Sequence, residues 1–141
     1  MKKLCSLLLV ICLLTGLFSG CTASNRTLSD FQKDMISEAV HRLDGYSVSW
    51  TVAYYYGKFD GYHVLLNPGG LMTAQSEEIG EYTFHYTSGF HMYAYKLGKA
   101  YSLQDAYEQD LISDEAMAQI YAAHQEMLRE KFPPFLDEIN P

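Results

Sequence analysis

The chain is short of cysteine where cysteine could act. Its three cysteines, Cys5, Cys12 and Cys21, all fall within the first 21 of 141 residues. The remainder therefore holds no disulfide, no cysteine-ligated metal centre and no cysteine nucleophile. Positive charge is also scarce, with 10 Lys and Arg against 17 Asp and Glu. Phosphate contact needs clustered Lys and Arg, so a nucleic-acid partner is excluded. The phosphate-cradling glycine loop is missing, because Gly69-Gly70 precedes no helix signal. Ser88 in "TSGF" lacks the glycine-flanked nucleophile elbow of serine hydrolases. There is no internal repeat and no low-complexity run. Aromatic residues, by contrast, are plentiful: 12 Tyr and 7 Phe. Such a chain can bury enough apolar surface to fold.

The N-terminus has a different character. Met1-Lys2-Lys3 is a short basic region, Leu4 to Phe18 is almost continuously apolar, and Ser19-Gly20 supplies small residues before Cys21. That is the layout of a secretory signal peptide. The apolar run is too short for a membrane span, which needs about 20 residues. "LFSGC", residues 17–21, resembles the lipobox of bacterial lipoproteins, with Phe18 where leucine is usual. The resemblance implies lipidation of Cys21, cleavage before it, and anchoring on the extracytoplasmic face of the cell membrane. The expected organisation is a cleaved signal over 1–20, a lipidated tether over 21–27, and a single α+β domain over 28–141. Loss of Lys2 and Lys3 leaves 8 bases against the 17 acids, a net charge of −9. Membrane attachment then comes from lipid rather than charge.

Periodicity outlines the domain. Thr27 with Asp30 three residues later forms a capping box, and Leu28, Phe31, Met35, Ala39 and Leu43 make one apolar stripe supported by Ile36. Asp44-Gly45 ends that helix. From Tyr46 to Gly57 the period becomes two, which predicts a half-buried strand. Two registers compete for the following strand, "YHVLL". A tight turn at Asp60-Gly61 places Lys58 and His63 on the Trp50 face. A loop over residues 57–61 pairs Tyr56 with Tyr62 and places Tyr62, Val64 and Leu66 there instead. The apolar pattern favours the loop. "NPGG" (67–70) reads as a turn, and 71–80 as a weakly patterned crossover. "EYTFHY" and "FHMYAYK" form a hairpin at Thr87-Ser88-Gly89, and "AYS" adds a short strand. Ser102 with Asp105 caps one helix and Ser113 starts another. The second carries Met117, Ile120, Tyr121, His124 and Leu128 on one face and stops at Pro133-Pro134. The sum is an α+β fold: an N-terminal helix, a four- to five-stranded antiparallel sheet, and two C-terminal helices packed on one face.

"YYGKFDG", "EYTFHY" and "YKLGKAYSLQDAYEQDLIS" together resemble a pattern in small secreted proteins of Gram-positive bacteria that carry no known activity. It covers residues 54–113. In that group the "SLQDAYEQD" piece usually ends in glycine; Asp110 stands there here. The resemblance implies a shared fold and transfers no function.

The candidate chemistry is sparse. In the expected hairpin, Tyr86 pairs with His91 and His85 with Met92, so the two histidines face opposite sides and cannot share an ion. Glu77-Glu78 and Asp114-Glu115 are sequence neighbours and diverge on any regular element. No metal or cofactor is expected. Tyrosine is the true excess, and so many hydroxyls do not suit a dry core. Trp50, Tyr55, His85 and Tyr93 are the candidate partner-binding residues, Tyr55 being the expected exposed ring because its parity opposes the Trp50 stripe. The expected role is a membrane-anchored binding or accessory module for a protein or cell-envelope glycan. The alternative is a small extracytoplasmic hydrolase whose site no motif reveals.

Overall fold

The computed structural model describes residues 27–67, 74–87 and 91–131. The signal segment, Cys21 and most of the tether lie outside the described residues, as do the centres of the turns expected at 67–70 and 87–89 and the Pro133-Pro134 stop.

Helix α1 spans Asp30–Asp44. Its capping box sits two residues beyond the expected position. Ser29 accepts from the Gln32 amide, and Gln32 reaches back to the Ser29 N–H at 3.0 Å. Gly45, at φ 75°, closes the helix in the left-handed region. The buried residues of α1 are Ile36, Ala39 and Val40. The expected stripe is wrong in phase. Leu28 is buried but precedes the helix, so counting helical turns from it rotates the face. Phe31 is consequently 72% exposed, and Met35 and Leu43 are exposed as well.

Residues 46–53 do not continue a strand. The Ser49 carbonyl accepts from the amides of Val52 and Ala53, at 3.1 and 2.7 Å. The hydroxyls of Ser49 and Thr51 bond each other at 3.2 Å. Closely spaced Ser and Thr give the chain a local alternative to a ladder. Strand β1 therefore starts only at Tyr54 and runs Tyr54–Phe59.

Five more strands follow: β2 Tyr62–Asn67, β3 Ala74–Ile79, β4 Tyr82–Thr87, β5 His91–Lys96 and β6 Lys99–Ser102. The β1–β2 turn is the tight one, with Phe59 opposite Tyr62 and Asp60-Gly61 at φ 52° and 81°. Two positive angles in a two-residue loop suit the right-handed strand twist. The apolar pattern that favoured the longer loop is satisfied by another device. A bulge between Tyr55 and Gly57 inserts one residue, so Tyr56 joins Tyr62, Val64 and Leu66 in one core despite the tight turn.

The segment expected as a crossover contains β3, which pairs with β4. The expected β4–β5 hairpin is not formed: β5 pairs with β2, His91 lying opposite Asn67. The reason is burial. Val64, Leu65 and Leu66 of β2 are all buried, and so are Met92 to Tyr95 of β5. Such runs belong in central strands covered on both faces. The main sheet accordingly has the order β1-β2-β5-β6, with β3-β4 as a separate pair.

Helices α2 (Leu103–Glu108) and α3 (Asp114–Lys131) follow, with hydroxyl caps from Ser102 and Ser113. The fold is α+β, as the sequence predicts, and both C-terminal helices lie on one face. Leu103, Ala106, Met117, Ile120 and Leu128 pack there with Val64, Leu66, Met92 and Ala94, and Ile79 and Phe84 of the second sheet join them. The opposite face carries α1, whose Ile36, Ala39 and Val40 meet Leu65, Tyr93, Tyr95 and Ala100. Asp110 adopts φ 59° after α2, a left-handed conformation that aspartate visits more readily than most residues.

Two turns yield opposite predictions. Gly80, at φ 61°, would place a Cβ 2.7 Å from the Tyr107 ring, so Gly80→Ala should cost about 1–3 kcal/mol. Leu97, 92% exposed, holds φ 48° as first residue of the Leu97-Gly98 turn. Leu97→Asn should raise stability by about 1 kcal/mol, because asparagine tolerates that conformation. Urea unfolding midpoints check both signs.

Candidate functional site

Two polar arrangements stand out. The first is internal. His124, on α3, is fully buried. Its Nε2–H donates to the His85 carbonyl at 2.6 Å, which leaves Nδ1 to accept from the Tyr56 hydroxyl, also at 2.6 Å. Burial lowers the pKa of this imidazole from 6.5 to about 4, so the ring is neutral at physiological pH. Burial likewise pushes the Tyr56 hydroxyl well above its usual range. The node ties α3 to β1 of one sheet and β4 of the other. Both ring nitrogens are engaged within the protein, so no lone pair or proton is presented to a substrate. Its chemistry is that of a brace.

The second arrangement is an open notch of about 450 Å³ where the edge strand β1 emerges between the start of α1 and the end of α3. Trp50, Tyr54 and Tyr55 line it, with Lys33 from α1 and Lys131 and Glu130 from α3. The Trp50 Nε1–H donates to Ser37 Oγ at 2.7 Å, which fixes the indole against α1. The Tyr55 hydroxyl pairs with His63 Nδ1 at 2.6 Å. Burial raises the Tyr55 pKa to about 12, and burial with nearby Lys58 lowers that of His63. The Tyr54 ring packs at 4.8 Å against Tyr56, with the Lys131 ammonium 5.2 Å from its centroid.

Of the four residues singled out from sequence, the notch brings Trp50 and Tyr55 together. Tyr55 is half-buried against the α1-side core rather than exposed. Tyr93 is fully buried and donates to Asp44 at 2.5 Å, so its ring is part of the core. His85 lies on β4 and does not line the notch. Sequence reasoning missed Tyr54, Lys33 and Lys131. They converge from three distant segments, and no spacing in the chain signals that. The described residues contain no group of three or more His, Cys, Asp or Glu able to hold a metal ion. Comparisons with protein-family models, curated proteins and solved structures give no match.

His124 makes folding pH-dependent. The unfolded chain takes up the imidazole proton near 6.5, the folded one only near 4. Stability from this residue is full above the first value, declines as pH falls between the two, and levels below the second. The total loss is roughly 3 kcal/mol. His124→Leu should lower stability at neutral pH, because Tyr56 and His85 lose their partner, and should flatten the slope across that window. Denaturant titrations of both proteins at several pH values test this; parallel slopes would count against it.

Proposed function

We propose that the protein is a lipid-anchored extracytoplasmic binding module, held to the membrane through Cys21, whose notch around Trp50, Tyr54 and Tyr55 receives a partner from the cell envelope. The observation that carries the binding role is that Trp50 and Tyr55 from the α1 side and Tyr54 from the α3 side line one open edge together with two lysines. Aromatic rings with fixed orientations present large contact area at little entropic cost, which is why they dominate recognition surfaces. The anchoring role rests on the lipobox resemblance of residues 17–21. Among the described residues no helix is long and apolar enough to cross a membrane. One acyl chain binds a bilayer marginally, whereas two or more hold it firmly, at about 0.8 kcal/mol per buried CH₂.

Two measurements test the two halves. Cys21→Ser should move the protein from the membrane fraction into the medium; retention of the variant would show that a membrane helix, not lipid, holds it. Trp50 is the single tryptophan, so indole emission reports on the notch directly. Envelope extract should shift that emission saturably, and Trp50→Phe with Tyr54→Ala should abolish retention on immobilised extract. Emission indifferent to every protein and glycan fraction would overturn the binding role.

A further inference from the structure

We infer that the notch binds an acidic saccharide, a sugar unit bearing a carboxylate or phosphate, close to the membrane surface. This rests on the binding-module reading and specifies its ligand.

The first argument is what the rings have left to offer. The indole N–H of Trp50 is committed to Ser37 and the Tyr55 hydroxyl to His63. Both rings are therefore held in place by their polar ends and present apolar surface to the notch. Tyr54 is the complement: its hydroxyl makes no hydrogen bond among the described residues, although its ring is pinned between Tyr56 and Lys131. Fixed aromatic surface beside a hydroxyl that no described residue engages suits a sugar, whose C–H faces are apolar and whose rim is hydroxylated.

The second argument is charge. The chain carries 17 acids, yet the ammonium groups of Lys33 and Lys131 make no ion pair among the described residues. They reach the notch from two different helices, with Glu130 the one acid lining it among the described residues. Two cations without an ion pair among the described residues, in an otherwise acidic molecule, select an anionic ligand and disfavour a neutral one. Size points the same way. A volume of about 450 Å³ is in the range of small-molecule sites, whereas a stable protein interface covers about 800 Å² per partner.

The third argument is reach. Thr27 lines the notch, six residues beyond Cys21. At full extension that tether spans at most about 20 Å. If Cys21 is acylated, the notch stays close to the bilayer, within reach of ligands held at its surface.

The test uses the full chain in detergent micelles and follows Trp50 emission. The probes are an oligogalacturonate for the carboxylate form, glucose 6-phosphate for the phosphate form, and a neutral maltooligosaccharide of matched length. An acidic probe should give a saturable shift that weakens with added salt. The neutral probe should bind at least about tenfold more weakly. Lys33→Gln with Lys131→Gln should lose about tenfold in affinity for the acidic probe, with unchanged urea unfolding showing that the substitutions at half-buried Lys33 and exposed Lys131 leave the fold intact. Which acidic probe binds identifies the anionic group. Equal affinity for acidic and neutral sugars, or unaltered binding by the lysine variant, overturns the proposal and leaves the binding module standing. A shift with envelope protein fractions but with no saccharide overturns it in favour of a protein partner. Silence of Trp50 toward saccharides and envelope fractions alike overturns both readings together.

Discussion

Two central strands with apolar residues on both faces dictate this architecture. Val64, Leu65 and Leu66 on β2, and Met92, Tyr93, Ala94 and Tyr95 on β5, leave no face for water. Each fully buried side chain of this size contributes about 1.5–3 kcal/mol, and only if something covers it. One helix cannot cover two faces. The chain therefore places α1 over one side and α2, α3 and the β3–β4 pair over the other. The edge strands β1 and β6 inherit the boundary, and the notch opens where the two layers part beside the first residues of β1.

The tyrosine excess acquires a structural account from the same layering. A buried hydroxyl without a partner costs about 1–3 kcal/mol. Here hydroxyls join different elements: Tyr56 to His124 and Tyr93 to Asp44 across distant parts of the chain, Tyr55 to His63 and Tyr107 to Asp114 between consecutive elements. Each bond links a strand or helix to a different one, so the rings fill the core and their tips tie its layers. Tyr54 makes no such bond among the described residues, and it lines the notch.

Much of this was legible in the chain. Local signals act within a turn or two of helix, so Gly45, the Ser102 and Ser113 caps, and the apolar face of α3 from Met117 to Leu128 could be placed directly. Failures occur where a distant contact overrides a local pattern. The alternation from Ser47 to Tyr55 reads as strand, but Trp50 docks on Ser37 and the hydroxyls of Ser49 and Thr51 curl the backbone. The competition between two hairpin registers had a third solution, a bulge at Tyr56, which periodicity alone does not show. Pairing β5 with β2 instead of β4 needed the continuous apolar runs to be weighted above chain proximity. In the candidate site, Trp50 and Tyr55 were picked out by the aromatic excess and by strand parity. Lys33 and Lys131 were not, because only the closed fold brings the ends of α1 and α3 to the same edge.

The bulge at Tyr56 has one more consequence. An open sheet ends in rows of unpaired amides and carbonyls, and those rows template edge-to-edge polymerisation. The outer side of β1 is interrupted by the inserted residue and followed by the charged Lys58. The opposite border, β6, offers only four residues and begins with Lys99. Neither border presents a flat, regular template to a second chain.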